Sequence, residues 1–559
     1  MAADAITVSR LLREFGQYSA LQGGNPYRTK AYARAADSLA ALAVPVEVLV
    51  REGRLTEIPG VGQAIADIVT KLHRTGTHPK LEAMRKDIPP GVLEMLAVPG
   101  LRPEKVLKLY RDLGIASLSD LEAAAKADRL KSLKGLGPAL QAKIVRNIAM
   151  SRENEGCRHI HRAAALLENA AQSLRRARPE LKRITPAGES RRGCELVRDL
   201  VLVAEGPSLE DTPATLKSGE LSVVLTDKAR YGVSLLLATG SAKHLAELRK
   251  LAKSKGMVLT DGGLRKGGKI IAAKTEQDIY GSLDLPLIPP ELREGRDEIA
   301  RAQKQGLPEL VTDTDVRGIL HAHTDMSDGA DTLEAMVEAT HARGYQYFGV
   351  ADHSKSAHYA GGLTLEEIDE QHRAIDGLNK KFGRSFRILK GIESDILADG
   401  SLDYPDDVLA RFDFVVASVH GRFGLNKKEQ TARIIRAVES PYTTILGHMT
   451  GRQLLRRPGY DLDIESVLKA CAANGVAVEI NANPWRLDLD WRWHQRALEL
   501  GCMMSINPDA HSTAEIDLTH WGVTMARKGG VPADRVLNCL PLSDLVAHLR
   551  KRSSHGLAA

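Results

Sequence analysis

The sequence is poor in cysteine and contains no long apolar run. Its five cysteines are scattered without any C-x-x-C pair, so neither a disulfide framework nor a thiolate zinc site is indicated. Nowhere do about 18 apolar residues follow one another, the length that a membrane-spanning helix needs. The start, MAADAITVSRLLREF, has neither the basic nor the apolar stretch of a secretory signal. We therefore expect a soluble cytoplasmic protein without a membrane partner, whose metals, if it binds any, use ligands other than cysteine.

Length and charge indicate several domains with different partners. The chain has 559 residues, of which 43% are hydrophobic and 26% charged, as in a globular protein of about three to five folding units. Residues 1–200 contain 33 basic and 22 acidic side chains, a net charge of +11, whereas residues 201–559 contain 44 and 49, a net charge of −5. The basic front favours contact with a polyanion, although an ordinary solvated surface would have the same charge.

Changes in residue pattern mark the domain boundaries. Residues 1–180 show helical spacing of apolar positions, interrupted by three short turns: IPGVG at 58–62, VPGL at 98–101 and LKGLG at 133–137. From about residue 183, β-branched runs such as ELSVVLTD indicate an α+β unit, and the Pro-rich joint DLPLIPPELREG then leads to a third region. We predict domains at 1–85, 86–180, 181–283 and 315–550, with a linker at 284–314.

The third region alternates strand-like and helix-like segments. Seven apolar runs end at, or just before, a polar residue that can bind metal, and helix-like segments such as TLEAMVEATHARG separate them. This alternation implies a parallel sheet. We expect a closed β/α barrel of seven units, because polar residues cluster at the same end of every strand. An open doubly wound sheet, whose ligands gather mainly at one switch point, is the alternative.

Histidine is concentrated in this third region, which holds 11 of the 18 histidines within residues 321–520. His321 and His323 are two residues apart on a strand, so their side chains share one face. Asp328 follows in a turn that brings its carboxylate near them. A single histidine is more often a core or surface residue than a ligand. Imidazole and carboxylate together, however, suit zinc, manganese or iron better than magnesium or calcium.

These motifs resemble the PHP domain, named for its occurrence in polymerases and histidinol phosphatases. Over residues 315–540 the family's order is kept by HAHTDMSDG, ADHS, GIESDI, SVHGRF, GHMTGR, EINANPWRLDLDW and PDAHS. The resemblance implies a barrel with three metals and nine ligands: His321, His323, Asp328, His353, Glu393, His420, His448, Asp509 and His511. One metal would be held by the catalytic set His321, His323, Glu393 and Asp509. A second would be held by Asp328, His353 and His511, and a third by Glu393 with His420 and His448.

Metals clustered at an open barrel mouth suit phosphoester hydrolysis. They lower the pKa of a bound water and neutralise charge that grows on a phosphoryl group. Arg422, Arg452 and Arg486 follow strand ends, and their planar guanidinium groups are candidates for binding phosphate oxygens. The alternative is that these three are ordinary surface arginines on barrel loops.

The three glycine-containing turns near the N-terminus suggest DNA binding. A Pro-Gly-x-Gly turn that opens a helix points backbone N–H groups outward at a positive helix terminus. The copies, with Gly60 and Gly62, Gly100, and Gly135 and Gly137, look like helix-hairpin-helix elements, which bind nucleic-acid backbone without reading sequence. Plain helix caps and turns are the alternative. Arg102 and Pro103 make the second copy the least regular.

The order of hairpins, α+β unit and PHP barrel resembles the bacterial family X DNA polymerases over nearly the whole chain. The resemblance is carried by NPYRTKAYARAADSL, TGSAKHLAELRKLA and IPPELREGRDEI. It also implies a palm with a Gly-Ser pair, an Asp-x-Asp pair and a third Asp, which together hold two metals and a nucleotide. Here Gly188-Glu189 and Asp199-Leu200-Val201 stand in the first two positions, and the third aligns with Ser222 unless the alignment is shifted toward Glu220. Ile68 replaces the family's lyase lysine.

Three functions follow from these patterns. The leading one is a DNA-binding, metal-dependent phosphoesterase that acts in DNA repair. The resemblance implies a 3′–5′ exonuclease, and it also allows 3′-phosphatase or abasic-site endonuclease activity. Its DNA partner would be an end, a gap or an abasic site. Asp199 alone is not expected to hold magnesium, so templated synthesis and lyase activity are doubtful. The alternatives are an active gap-filling polymerase edited by the barrel, and a non-catalytic DNA-end scaffold.

Overall fold

The computed structural model describes residues 3–42, 44–133, 136–207, 214–304 and 306–556. The chain divides into two compact units. The N-terminal unit comprises Met1–Gly306 with Leu455–Arg457, and the C-terminal unit comprises Leu307–Leu454 with Pro458–Ala559. The boundary after Gly306 lies within the predicted linker, whereas Leu455–Arg457 lies inside the predicted domain 315–550. The predicted domain boundaries stay predictions. None of the described helices is long and apolar enough to cross a bilayer.

The front of the N-terminal unit is helical around one apolar core that runs from Val8 to Ile148. Its helices are α1 (Ala5–Leu21), α2 (Pro26–Ala40), α3 (Val46–Arg51), α4 (Gln63–Thr75), α5 (Pro79–Asp87), α6 (Pro90–Glu94), α7 (Pro103–Leu113), α8 (Leu118–Lys126) and α9 (Pro138–Glu153). Many of these helices begin with proline at their first position, where the missing N–H costs nothing.

The first two predicted turns adopt one geometry before α4 and α7, and the described residues of the third, before α9, form the same backbone bond. In each, a short 3₁₀ turn is followed by a backbone bond spanning three residues: Val61 to Ile58, Leu101 to Val98 and Leu136 to Leu133. Gly60 and Gly100 both have a φ of 84°, which side chains disfavour. Gly62 and Gly137 are the N-caps of their helices, but Arg102 stands at that position in the second copy. Gly135 lies outside the described residues.

The rest of the N-terminal unit is α+β, as predicted. Its helices are α10 (Ile160–Ala177), α11 (Gly188–Arg191), α12 (Tyr231–Thr239), α13 (Ala242–Ser254), α14 (Glu276–Ser282) and α15 (Glu298–Lys304). Its strands are β1 (Arg158–His159), β2 (Ile184–Pro186), β3 (Leu196–Val197), β4 (Leu200–Glu205), β5 (Ala214–Ser218), β6 (Leu221–Thr226), β7 (Met257–Thr260), β8 (Gly263–Lys266) and β9 (Lys269–Ala272). One sheet has the order β2-β4-β6-β5 with β4 and β6 parallel, another is the antiparallel β7-β8-β9, and β1 pairs with β3.

The C-terminal unit is a seven-stranded parallel barrel. Its strands are β10 (Gly318–Ile319), β11 (Tyr347–Val350), β12 (Arg387–Asp395), β13 (Phe414–Ser418), β14 (Ile445–Leu446), β15 (Ala477–Asn481) and β16 (Met504–Asn507). Its helices are α16 (Leu333–Ala342), α17 (Leu365–Phe382), α18 (Asp406–Leu409), α19 (Lys427–Glu439), α20 (Ile464–Asn474), α21 (His494–Leu500), α22 (Thr519–Lys528) and α23 (Leu542–Gly556).

Strand order decides between the barrel and the open sheet. Neighbouring strands follow chain order from β10 to β16, and each pair is parallel. A parallel bridge joins Ala322 to Ala510, and the N–H of His323 donates to the carbonyl of Ala510 at 2.8 Å. The segment after the first strand thus contacts the segment after the last, and the sheet nearly closes on itself. The doubly wound alternative is excluded, because its strand order reverses at a switch point.

Candidate metal centre

The nine predicted ligands lie at the carboxyl ends of the barrel strands. His321 and His323 follow β10, His353 follows β11, and Glu393 lies near the end of β12. His420 and His448 follow β13 and β14, while Asp509 and His511 follow β16. Asp328 comes from the turn after β10. A parallel barrel brings all its strand ends to one mouth, which is why residues as far apart in the chain as His321 and Asp509 meet.

Glu393 and Asp509 form the centre of a first group with two histidines. The Nε2 atom of His321 lies 3.3 Å from Oε1 of Glu393 and 3.6 Å from Oδ1 of Asp509. The Nε2 atom of His323 lies 3.1 Å from the same Asp509 oxygen and 3.7 Å from Oε2 of Glu393. These donor atoms all face one small space, as ligands of a shared ion would.

A second group surrounds Asp328. Its Oδ1 lies 3.4 Å from Nε2 of His511, 3.6 Å from Nε2 of His353 and 3.8 Å from Nδ1 of His323. The His323 ring therefore stands between the first and second groups. The side chains of Asp328 and His511 are 35% and 34% exposed, whereas those of the first group are buried, so the centre opens to solvent on this side.

A third group shares Glu393. Oε1 of this carboxylate lies 3.0 Å from Nε2 of His448 and 3.3 Å from Nε2 of His420, and Oε2 lies 3.0 Å from Nδ1 of His353. Glu393 thus contacts histidines of all three groups, whereas the sequence resemblance implies a bridge between the first and third metals only, which stays a prediction. His353 also faces this group, an arrangement the resemblance does not imply.

Two carboxylates that the sequence analysis missed orient the ligand histidines. Glu479 Oε1 accepts a hydrogen bond from Nδ1 of His321 at 2.6 Å, and Asp395 Oδ1 accepts one from Nδ1 of His420 at 2.5 Å. Because a carboxylate only accepts, each ring keeps a hydrogen on Nδ1 and turns its Nε2 atom toward Glu393. One signal in the sequence could have indicated Glu479. It lies two residues before Asn481, the polar residue that ends the apolar run VAVEIN, so both side chains are on the same face of a buried strand.

The electrostatics of the centre keep its carboxylates charged. Burial raises the pKa of Glu393, but the surrounding His420, His321 and His353 outweigh it and hold this pKa well below its usual range. For Asp509, burial is likewise outweighed by His321, His323 and Arg486, and its pKa is well below the ordinary value. Ionised carboxylates among imidazoles are ready to bind a cation.

The donor set fits divalent metal. Mixed imidazole nitrogen and carboxylate oxygen is the ligand chemistry of zinc, manganese and iron. Nε2 of His321 and Nδ1 of His323 are buried and have no well-oriented hydrogen-bond partner among the described residues. Buried polar atoms are rarely left unpaired, so a cation beside these two nitrogens would account for them.

The three candidate phosphate-binding arginines have different surroundings. Nε of Arg486 lies 3.4 Å from Oδ2 of Asp509, at the edge of the centre. Arg422 is exposed after β13. The guanidinium of Arg452 is instead occupied by Asp490 at 2.8 Å and by the carbonyls of Arg486 and Leu487.

Comparison with known proteins gives the family. The PHP domain model matches residues 320–483, and the DNA polymerase beta thumb model matches 234–294. A helix-hairpin-helix domain model matches residues 7–78, and a SAM-like helix-hairpin-helix tandem matches 92–149. The chain is 33% identical over 97% of its length, and 99% of the relative's, to the DNA polymerase/3′-5′ exonuclease PolX of Bacillus subtilis. The chain belongs to the family X DNA polymerases that carry a PHP domain.

The barrel alone has a second set of relatives. A probable phosphatase of Thermoanaerobacter sp. (strain X514) is 28% identical over 41% of this chain and 90% of its own length. A probable phosphatase of Acetivibrio thermocellus is 32% identical over 29% of this chain and 63% of its own. The likeness of the PHP domain to phosphatases, together with the full-length match, supports hydrolysis of phosphoesters by this member of family X.

In the part of the predicted palm that the structure describes, fewer metal-binding side chains come together than in the barrel. Val201 of β4 is in register with Ser222 of β6, so the two positions that the sequence alignment matched to family carboxylates do lie side by side. Val201 packs against the apolar cluster of Ala187, Val203 and Tyr231. Among the described residues, every group of ligands able to hold a metal lies in the barrel.

The other acidic side chains near the palm strands have partners of their own. Glu189 Oε2 accepts from the N–H of Arg198 at 2.6 Å, and Glu220 pairs with Arg158 at 2.5 Å. Asp199 is exposed just before β4. On α4, Ile68 packs against the helical core.

Proposed function

We propose that the chain is a metal-dependent nuclease that removes nucleotides from 3′ ends of DNA during repair, in the bacterial cytosol. The observation that carries this proposal is the convergence of nine imidazole and carboxylate side chains at a barrel mouth that opens to solvent beside Asp328 and His511. An open side favours catalysis over a structural role, because structural metal sites are normally closed by four protein ligands. The relative named as a 3′-5′ exonuclease supports the same activity.

We assign three divalent metals, zinc, manganese or iron, to the three groups of ligands. His321, His323, Glu393 and Asp509 would hold the first and be the catalytic set. The second would be held by Asp328, His353 and His511, and the third by Glu393, His420 and His448. When bound, such metals polarise phosphoryl oxygens and lower the pKa of water, which is the chemistry that phosphodiester hydrolysis needs.

The chain's own residues position this chemistry. Glu479 and Asp395 keep two histidines in one tautomer and orientation, so their Nε2 atoms remain available as ligands. Arg486, at the edge of the centre, would bind a non-bridging oxygen of the scissile phosphate, and Arg422 a neighbouring phosphate. Arg452 is better explained as the residue that holds the 486–490 segment, since its guanidinium already has three partners.

We propose further that the palm no longer synthesises DNA. Two metals at a polymerase site need several carboxylates, and Val201 and Ser222 occupy two of those positions here. A single Asp199 is too little to hold two magnesium ions, and Glu189 in the Gly-Ser position would repel a triphosphate. The hairpin turns with Gly60, Gly62, Gly100 and Gly137 would hold the DNA backbone, as would Gly135.

One gel assay tests this function. A 5′-labelled primer–template is incubated with manganese, with and without nucleotides, using the natural chain and a His321→Ala, His323→Ala variant. We expect nucleotide-independent shortening by the natural chain and none by the variant. The variant should not lengthen the primer either.

Other outcomes favour the second and third functions. Lengthening of the primer would refute the proposed loss of DNA synthesis by the palm. It would support an active polymerase, which the name of the Bacillus subtilis relative favours. DNA binding without any change in primer length would support the third function, a non-catalytic scaffold that binds DNA ends. The same assay on primers that end in a 3′-phosphate, and on duplexes with an abasic site, tests the two further activities.

A further inference from the structure

An exposed aromatic ring stands at the edge of the metal centre. Tyr359 is 71% exposed. Its ring centroid lies 6.2 Å from that of His353 and 6.4 Å from that of His420, tilted by 57° and 70°. The ring therefore touches the rim of the ligand cluster without stacking on it, and its faces are available to something else.

The loop that carries Tyr359 is tightly fastened. At one end, the N–H of Leu363 donates to the carbonyl of His353 at 2.9 Å, and the two flanks pair in a bridge between Ser354 and Leu363. A Cβ at Gly362 would come within 1.9 Å of the carbonyl oxygen of Ser354. This position therefore accepts only glycine, because the two flanks of the loop approach so closely.

The loop is also tied to the carboxylate that orients a ligand histidine. Ser356 donates from its hydroxyl to Oδ2 of Asp395 at 2.8 Å, while Oδ1 of Asp395 accepts from His420. The N–H of Ser356 donates to Asp403 at 2.6 Å. The Tyr359 ring is thus held at a set distance from the ligands, although the ring itself buries little surface and adds little to packing.

A rigid, exposed aromatic beside a phosphate-binding centre is suited to stack on a base. In a nucleotide, one sugar ring separates the phosphate from the base. If the phosphate lies on the metal ligands, the base can reach the Tyr359 ring, whose centroid is 6.2 Å from that of His353. His353, whose ring lies beside that of Tyr359, is 3.6 Å from the partly exposed Asp328, so the Tyr359 ring borders the open side of the centre. Stacking on an aromatic face is tolerant of sequence, as a nuclease needs.

We propose that Tyr359 stacks on the base of the 3′-terminal nucleotide and so makes the centre specific for nucleotides over simple phosphate esters. This inference rests on the proposed nuclease function. Alanine replacement of a base-stacking aromatic weakens binding by about 1–3 kcal/mol per base, which is about 5-fold to 150-fold in an equilibrium constant. Tyr359 would contact substrate in the ground state and transition state alike, so its loss should raise KM and leave kcat nearly unchanged.

The test compares Tyr359→Ala with Tyr359→Phe, which keeps the ring. Each is assayed on two oligonucleotides, one ending in a normal nucleotide and one ending in a base-free tetrahydrofuran nucleotide. We expect Tyr359→Ala to raise KM for the normal end about 5-fold or more, while Tyr359→Phe stays within about twofold. On the base-free end, the natural chain and Tyr359→Ala should have the same KM. Equal KM values on the normal end would overturn the stacking role while leaving the nuclease function in place.

A binding measurement separates failure of this inference from failure of the nuclease function. The 3′-terminal base is replaced by fluorescent 2-aminopurine, with a phosphorothioate terminal linkage that resists cleavage. The natural chain and Tyr359→Phe should quench the probe, and Tyr359→Ala should not. Equal quenching by all three proteins would refute stacking whether or not the chain cleaves DNA. Thermal denaturation should be the same for all three, since the exposed ring contributes little to stability.

Discussion

Glu479 offers the sharpest test of how the barrel prepares its metal ligands. It is fully buried, and both of its oxygens are engaged. Oε1 accepts from Nδ1 of His321 at 2.6 Å and from Nδ2 of Asn507 at 3.2 Å. Oε2 accepts from the N–H of His448 at 2.7 Å and from Nδ2 of Asn481 at 3.2 Å. One carboxylate therefore positions two ligand histidines that come from different strands.

The replacement Glu479→Gln keeps the shape and removes two acceptor positions. Whichever way the new amide turns, its NH₂ faces two donors, because all four partners donate. If the NH₂ faces His321, that ring loses the bond that fixes its tautomer. Loss of such a partner typically costs about 10-fold to 100-fold in metal affinity or activity. The unpaired donors should also lower the free energy of unfolding by about 1–3 kcal/mol.

Metal titration of the nuclease rate separates these two effects. We expect the manganese concentration for half-maximal activity to rise about 10-fold to 100-fold in Glu479→Gln, with most of the rate restored at saturating metal. Asp517→Asn, which alters an exposed pair with Arg343 on the barrel surface, is the control and should leave the titration unchanged. An unshifted titration midpoint with a reduced maximal rate, in a variant that is folded by circular dichroism, would refute the positioning role.

Other predictions concern the palm, the arginines and acid stability. Asp199→Ala should leave the exonuclease rate within about twofold, as the gel assay would measure, because every group of possible metal ligands among the described residues lies in the barrel. Arg486→Ala should lower nuclease activity at full stability. Arg452→Ala should instead lower the free energy of unfolding by about 2 kcal/mol, because the carbonyls of Arg486 and Leu487 lose their donor and Asp490 is left with Arg492; urea denaturation distinguishes the two variants. Burial lowers the pKa of His494 to about 4 in the folded protein, whereas the unfolded chain has a histidine pKa of about 6.5. Below pH 6.5 the unfolded state therefore binds a proton that the folded state does not. The free energy of unfolding falls as the pH decreases from 6.5 toward 4. Urea titrations at pH 7 and pH 5 measure this decrease. The free energy of unfolding should fall by about 2 kcal/mol less in His494→Gln than in the natural chain. Equal decreases in the two proteins would contradict this account.

The sequence by itself determined the fold class and which residues are candidate metal ligands. His321, His353 and Asp509 follow apolar strand runs, and the ends of parallel strands must meet at one mouth. Gly60 and Gly100 were recognisable because a tight turn before a helix needs a left-handed φ, which both residues adopt. Such features depend on residue type and on local spacing, both of which the sequence states directly.

Only the tertiary structure decided which residues orient those candidate ligands and how the first and last strands of the sheet meet. The bridge between Ala322 and Ala510 nearly closes the barrel, and the contact between Glu479 and His321 spans 158 positions. The difference between Arg486 and Arg452 likewise depends on which carboxylate each one meets. These relations join residues far apart in the chain, and no local pattern encodes a partner that only folding brings near.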